Sequence, residues 1–252
     1  MTVLVIPRSD FSSESKLAKI LECLKWKIIF DRTQSSDLVI LHSDEMPYPR
    51  SMGVAGNPYI VNMKGKAIDK ARVNEVFENV FGYPLAVRPE SHQGPCVEKV
   101  LGHQQHGIVL QCPHASRSDR VYQKIITNHP EEKWLEEWRI DVYDSDLLVT
   151  RKQLKKQSSG FPGPERNPGA FHFDFPVSEA LFAWEISMVN RFLDVIGMQY
   201  GSLDALRDLD GRLYIIDATT NTACPNPMWH GNVTEHQYIK RSAEYFKRAF
   251  SK

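Results

Sequence analysis

The chain of 252 residues is long enough for one large domain or for two smaller domains that share a cleft. Hydrophobic residues make up 42% of it and charged residues 25%, which is ordinary globular usage and excludes a disordered or fibrous protein. The 31 basic side chains balance the 31 acidic ones, so no overall field favours nucleic acid or an anionic membrane as a partner.

The cysteines and the N-terminus indicate a cellular compartment. The four cysteines lie far apart and never form a Cys-x-x-Cys pair, which argues against a zinc knuckle or a disulfide framework. The opening apolar run TVLVI lacks a basic leader and a cleavage site, and no later stretch reaches membrane-spanning length. We therefore predict a cytoplasmic protein with reduced thiols.

The first third of the chain predicts a short α/β unit. Apolar, β-branched runs predict strands at residues 2-7, about 27-31 and 37-42. An amphipathic helix is expected from about Ser13 to Leu24. A further strand is expected from Tyr59 to Asn62, and a helix from Asp69 to Phe81 that ends at Gly82.

The middle of the chain predicts a small sheet-rich lobe followed by a hairpin. Strand-like runs are PLAV from residue 84, GIVLQ at 107-111 and VYQKII at 121-126. The runs WRIDVY and DLLVTRK flank Asp144 in a predicted hairpin, and the Gly/Pro/Ser-rich segment 157-169 is either a lid or a plain linker. A long helix from about Val177 to Val195 and a final helix from about His236 to Phe250 are expected.

The most informative segment is the hairpin at residues 201-221. Two apolar runs are joined by Asp210-Gly211, a strong signal for a two-residue turn because both positions tolerate positive φ. Such a turn places Asp204 directly opposite Asp217, with Cβ atoms about 5 Å apart on one face. The flanking residues are apolar on both faces, so the hairpin is predicted to be buried.

Two buried carboxylates at contact distance repel each other, so either one takes up a proton or a cation neutralises both. Oxygen ligands favour Mg²⁺ or Mn²⁺. The Thr219 hydroxyl and the Asn221 amide oxygen lie along the same face and add candidate ligands. The alternative interpretation is that Asp204 pairs with a nearby arginine such as Arg139, while Asp217 caps a turn.

This hairpin resembles the ATP-grasp superfamily, and its carboxylate–amine ligases in particular, whose paired strands end in an acidic residue and then in Glu-x-Asn or Asp-x-Asn. Asp204 matches the first magnesium ligand and Asp217 the second. Thr219 stands where the family normally has asparagine, with Asn221 two residues later. Ser202 stands where D-alanine ligases carry an arginine.

Upstream motifs follow in the order that the family shows. VYQKII resembles the hinge strand whose main chain binds adenine, which implies a nucleotide site at Gln123, Lys124 and Ile126. EWRIDVYDSDLLVTRK at 137-152 resembles the strand pair that opens with an acidic-x-Arg pattern. It implies that Arg139 and Lys152 face the phosphates or the acyl phosphate.

A third motif, PLAVRPESHQGPCV at 84-97, resembles the Lys-Pro strand and the glycine loop that cover the phosphates. Arg88 replaces the lysine, and an arginine can still bind phosphate through two parallel hydrogen bonds. The resemblance spans roughly residues 58-225.

The resemblance implies an α/β (α+β) fold in which ATP lies between the antiparallel sheets of two lobes. The implied parts are a shortened pre-ATP-grasp α/β segment at 1-57, a small lobe at 58-118 and a large lobe at 119-252. The implied activity is an ATP- and Mg²⁺-dependent, ADP-forming ligase. It activates a small-molecule or peptide carboxylate as an acyl phosphate, which an amine then attacks.

Two other functions compete with the ligase. A kinase would use the same nucleotide site to phosphorylate a hydroxyl or a small acid. A degenerate nucleotide-binding module would serve as a regulatory subunit, and the departures at Arg88, Ser202 and Thr219 favour it. All three hypotheses are compatible with a homodimer.

The remaining features give weaker signals. In FHFDF at 171-175, His172 and Asp174 would share one strand face, either as a ligand-binding pair or as solvent-facing residues. Cys96 and Cys224 have no neighbouring base at a spacing that activates a thiol, so we interpret them as incidental.

Overall fold

The structure is a computed structural model, and it describes residues 1–43, 53–56, 58–64, 68–101, 107–128, 134–155, 168–175, 177–222 and 234–251. Within these ranges it contains three sheets and five α-helices, together with a short 3-10 turn at Arg8–Asp10. The predicted mixed α/β architecture is confirmed.

The first sheet is parallel, with its four strands in the order β2-β1-β3-β4. The strands are β1 (Thr2–Ile6), β2 (Lys27–Ile29), β3 (Leu38–Leu41) and β4 (Tyr59–Val61). Helix α1 (Lys16–Cys23) begins at Ser15, whose hydroxyl accepts a hydrogen bond from the Ala18 amide. Strand β4 belongs to this sheet, although the first segment predicted from the sequence ends at residue 57.

The second sheet is small and antiparallel, with strand order β6-β5-β7. Its strands are β5 (Gly94–Val100), β6 (Ile108–Cys112) and β7 (Arg120–Lys124). One expectation was wrong here. The run PLAV contributes only an isolated bridge between Ala86 and Gln123.

The third sheet is the largest, and its five antiparallel strands have the order β10-β9-β8-β11-β12. They are β8 (Trp134–Tyr143), β9 (Asp146–Lys155), β10 (Pro168–Phe175), β11 (Tyr200–Arg207) and β12 (Leu213–Thr219). The predicted hairpin at Asp144 is confirmed, and Asp144 itself has a φ of 57°.

Helices cover both faces of the large sheet. They are α2 (Lys70–Phe81), α3 (Val177–Ala180), α4 (Ala183–Ile196) and α5 (Glu235–Phe250). Helices α2 and α4 share a core with one face, while α1, α5 and the first sheet form a second core with Tyr143 and Tyr200 on the other. Among the residues described, none of the helices has the length and apolarity that a membrane span requires.

The single helix expected from Val177 to Val195 is two helices that break before Phe182. The Glu185 carboxylate accepts a hydrogen bond from the Phe182 amide at 2.9 Å, which starts a new helix. The Arg207 guanidinium binds Glu185 at 2.6 Å and the Ala180 carbonyl at 3.2 Å. A distant arginine therefore stabilises a break that local periodicity does not reveal.

Candidate functional site

The two predicted carboxylates lie side by side in the large sheet. Asp204 on β11 is opposite Asp217 on β12 and, on its other side, opposite Arg139 on β8. Residues that face each other across antiparallel strands project from the same side of a sheet. Arg139, Asp204 and Asp217 thus form a line across three strands, which we call the charged row.

The structure reaches the Asp204–Asp217 pairing by a different route from the predicted one. Arg207 pairs with Leu213, so the loop is longer than a two-residue turn and the register is shifted by one. A bulge at Ile216 shifts it back before Asp217. The predicted turn was wrong, and the pairing holds because the two irregularities cancel.

One part of the alternative interpretation, the pairing of Asp204 with Arg139, is present in the charged row. The Nε of Arg139 lies 3.3 Å from Oδ1 of Asp204, and the two side chains are only 15% and 12% exposed. Oδ1 of Asp217 accepts a hydrogen bond from the adjacent Ala218 amide at 3.0 Å. The row therefore contains one guanidinium and two carboxylates, which is a formal excess of one negative charge.

The environment keeps Arg139 protonated. Burial by itself lowers the pKa of Arg139, but the negative charges of Asp204 and Asp141 outweigh it and raise that pKa above its usual value. Asp204 is largely buried, and Asp217 is partly buried. The formal excess of negative charge in the row favours a divalent cation there.

The residues that follow Asp217 connect β12 to the first segment. The Thr219 hydroxyl accepts a hydrogen bond from the Asn221 amide at 3.1 Å. The side-chain nitrogen of Asn221 donates to the Asp10 carbonyl at 3.3 Å. Within the described residues, no group of three or more His, Cys, Asp or Glu side chains could hold a metal. An ion at the charged row would thus need further oxygens, and the role of Thr219 and Asn221 stays a prediction.

The predicted adenine hinge lies at the end of β7. The Lys124 amide donates to the Leu85 carbonyl at 3.0 Å, so that hydrogen is not available to adenine. The Lys124 ammonium donates to the Tyr214 hydroxyl at 2.9 Å, and Gln123 and Ile126 are both buried. Adenine binding by the remaining main-chain groups of this hinge stays a prediction.

Lys99 is a residue near the charged row that the sequence analysis missed. Its side chain is largely buried, and its Nζ donates to the Ile216 carbonyl at 3.1 Å. Gln123 Nε2 contacts the same carbonyl at 3.4 Å. Since Ile216 directly precedes Asp217, strand β5 brings an ammonium group close to the carboxylates. The sequence signal was the strand-like run PCVEKV, which ends shortly before Gly102.

Solved structures share the fold of this protein over nearly the whole chain. The ATP-grasp ligase PsnB complexed with minimal precursor matches at a TM-score of 0.62 and 12% identity, over 98% of this chain and 98% of that chain. The chain has the ATP-grasp fold. The macrocyclase MdnC from Microcystis aeruginosa MRC, bound with precursor peptide MdnA, matches at a TM-score of 0.54 and 13% identity, over 98% and 99% of the two chains.

A further match is D-cycloserine synthetase DcsG, at a TM-score of 0.58 and 13% identity, over 98% of this chain and 99% of that chain. No protein-family model matches the sequence, and no curated protein matches it. The ATP-grasp fold inferred from residues 201-221 and the upstream motifs is therefore confirmed by three-dimensional similarity.

The two basic residues predicted to bind phosphate, Arg88 and Lys152, lie in separate sheets or loops of the structure. Arg88 is exposed in a turn of the small lobe, where its carbonyl accepts hydrogen bonds from the Ser91 and His92 amides. The backbone register places Lys152 opposite Glu137, two positions along β9 from the residue that pairs with Arg139. Phosphate binding by Arg88 and Lys152 stays a prediction.

Several sequence predictions concern groups outside the part of the chain that the structure describes. They are the segment at 157–167, the thiol of Cys224, and the side chains of Lys152, His172 and Asp174.

Proposed function

We propose that this chain is an ATP- and Mg²⁺-dependent ligase that joins a carboxylate to an amine and releases ADP and phosphate. The observation that carries the proposal is the charged row. In it, Asp204 on β11 stands opposite Asp217 on one side and opposite Arg139 on the other. Carboxylate oxygens are the ligands that Mg²⁺ prefers. The ATP-grasp fold supports the proposal, because PsnB and MdnC are a ligase and a macrocyclase.

The residues of the row and the strand ends fit a magnesium ion. Asp204 and Asp217 would hold it, and Thr219 and Asn221 are the candidates for a further oxygen ligand. When bound, the ion supplies positive charge to phosphate oxygens. The row's excess negative charge and the partial exposure of Asp217 are what make these residues suitable.

The proposed reaction has two steps. A substrate carboxylate oxygen attacks the γ-phosphorus of ATP, the bond between that phosphorus and the β–γ bridging oxygen breaks, and ADP leaves with an acyl phosphate remaining. An amine then attacks the acyl carbon, phosphate leaves and an amide forms as the amine loses a proton. Arg139 and Lys152 would balance the charge that develops on the transferred phosphoryl group.

The protein would bind the rest of the nucleotide with main-chain and basic groups. The hinge at Gln123, Lys124 and Ile126 would hold adenine, and Arg88 from the small lobe would contact phosphates. Lys99 joins this set because its ammonium lies next to the strand position that precedes Asp217. A buried ammonium that exchanges a neutral carbonyl for a charged phosphate oxygen gains an ion pair in addition to the hydrogen bond.

The substrate class that the neighbours favour is a peptide carboxylate, since PsnB and MdnC were both determined with precursor peptides. Peptides with acidic side chains and free amino acids should be incubated with ATP, Mg²⁺ and amines, with ADP release followed enzymatically and products by mass. We expect ADP release that needs both acid and amine, and a product lighter than the two substrates by one water.

The two alternatives give different results in that experiment. A kinase would form ADP and a stable phosphorylated product without an amine. A binding module would bind MgATP but release no ADP with any acid. Either outcome would contradict the ligase.

Lys99→Met provides a test of the phosphate site. We expect the KM for ATP to rise about 10-fold, since one charge-assisted hydrogen bond is lost, with a smaller change in kcat. Arg88→Met in parallel compares the buried cation with the exposed one. An unchanged KM for ATP in Lys99→Met would show that Lys99 only joins the two lobes through Ile216.

A further inference from the structure

A lysine from the first segment reaches the large sheet next to the charged row. Lys16 of α1 is completely buried, and its Nζ lies 2.6 Å from Oδ1 of Asp141 and 3.2 Å from Oγ of Ser202. Asp141 and Ser202 are opposite each other on β8 and β11, each two residues from Arg139 or Asp204. They therefore lie on the same face as the charged row, one row away.

Asp141 is an ionised carboxylate with most of its hydrogen-bonding capacity in use. Oδ1 accepts from Lys16 and from the Ser202 hydroxyl at 2.5 Å, and Oδ2 accepts from the Tyr238 hydroxyl. Burial raises the pKa of Asp141, but the charges of Lys16 and Arg139 outweigh it and lower that pKa below its usual value. Lys16 is its directly paired cation.

Arg139 lies among several negative charges. Asp141 and Glu137 flank it at two residues' distance on the same face of β8, and both are buried. Asp204 is opposite on β11 and is the carboxylate that contacts the guanidinium, at 3.3 Å. Asp141 also attracts Arg139, although less strongly than Asp204 does. Which carboxylate the Arg139 guanidinium contacts therefore depends on which of them already has another cation as its partner.

We propose that Lys16 is a positioning residue: by neutralising Asp141, it keeps the Arg139 guanidinium on Asp204 in the charged row. Without Lys16, Asp141 is a buried carboxylate that lacks its counterion, and such a charge is strongly unfavourable. Arg139 lies two residues from Asp141 on the same face of β8, and its movement toward Asp141 withdraws it from Asp204. The catalytic consequence rests on the proposed ligase function, whereas the position of Arg139 does not.

Three variants separate this role from simple support of the fold. Lys16→Met and Asp141→Asn each break the same ion pair, so both should lower the unfolding temperature. Only Lys16→Met leaves a surplus negative charge that attracts Arg139. The double variant removes both charges, so Arg139 should again pair with Asp204.

We expect Lys16→Met to lower kcat for ADP formation about 10-fold or more, since it displaces a charge-balancing group. Asp141→Asn and the double variant should stay within about threefold of the wild type by the same reasoning. Equal losses of kcat in the two single variants, or a double variant as impaired as Lys16→Met, would overturn the proposal.

Crystal structures of the wild type and the three variants test the same inference without activity. Arg139 should lie on Asp141 in Lys16→Met and on Asp204 in the others. An Arg139 that stays on Asp204 in Lys16→Met overturns the inference. If the wild type releases no ADP with any substrate, the ligase proposal fails, and these structures still decide the role of Lys16.

Discussion

Asp217→Asn is expected to lower Mg²⁺-dependent ATP turnover at least about 100-fold while the unfolding temperature stays the same or rises slightly. The substitution removes a carboxylate that would hold the ion and, in the protein without metal, removes one of two like charges that face each other in the sheet. The measurements are ADP release under saturating MgATP and thermal unfolding without nucleotide.

Asp210→Asn is the matched control, because it makes the same chemical change at an exposed position in the loop of the same hairpin. It should leave turnover unchanged. MgADP should raise the unfolding temperature of the wild type and of Asp210→Asn through ligand linkage, and should raise that of Asp217→Asn much less. An Asp217→Asn variant that turns over ATP at the wild-type rate would remove Asp217 from the site.

Asp204→Asn would lose turnover as well, but it is a less specific probe. Asp204 is the carboxylate that contacts the buried Arg139, so its removal leaves that guanidinium without its cross-strand partner. A loss of stability should therefore accompany the loss of turnover. The two variants should differ in stability because Asp204, and not Asp217, is the carboxylate that contacts Arg139.

The hairpin illustrates what the sequence determines. Alternation along β11 fixes which residues share a face with Asp204, but Asp217 stands opposite Asp204 only because the longer loop and the bulge at Ile216 cancel. The longer loop and the bulge at Ile216 were not predictable in the same way. The Ile216 carbonyl accepts hydrogen bonds from Lys99 and Gln123 of the small sheet, so the bulge lies at a contact between residues far apart in the chain.

The helix break and the buried lysines also depend on contacts between residues that are far apart in the chain. The break before Phe182 involves Arg207, which comes more than 20 residues later. Lys16 looks like one polar residue of an amphipathic helix, yet its ammonium is buried against Asp141. Pairing of distant charges is set by how the sheets and helices pack together, and the periodicity of a single element carries no information about it.

The largest expected effect on stability is that of Asn62→Ala, about 4 kcal/mol, because four main-chain groups, three of them in buried hydrogen bonds, lose a partner. Asn62 is 2% exposed and lies at the end of β4. Its Nδ2 donates to the Leu41 and Tyr200 carbonyls at 3.0 Å each, and its Oδ1 accepts from the Gln199 and Tyr200 amides at 2.7 and 2.9 Å. This one side chain joins the first sheet to strand β11.

Two further variants divide that effect into its causes, with urea unfolding as the measurement. Asn62 has a φ of 65°, where asparagine and glycine are tolerated and alanine is strained. Asn62→Gly should therefore lose about 1 kcal/mol less free energy of unfolding than Asn62→Ala loses. Asn62→Asp keeps the acceptor for the Gln199 and Tyr200 amides and turns a carboxylate toward two carbonyls, so it should also be destabilised.

A cost below about 1 kcal/mol for Asn62→Ala would mean that water replaces these bonds. Since β11 carries Asp204, a weakened junction should also lower the affinity for MgADP before the protein unfolds.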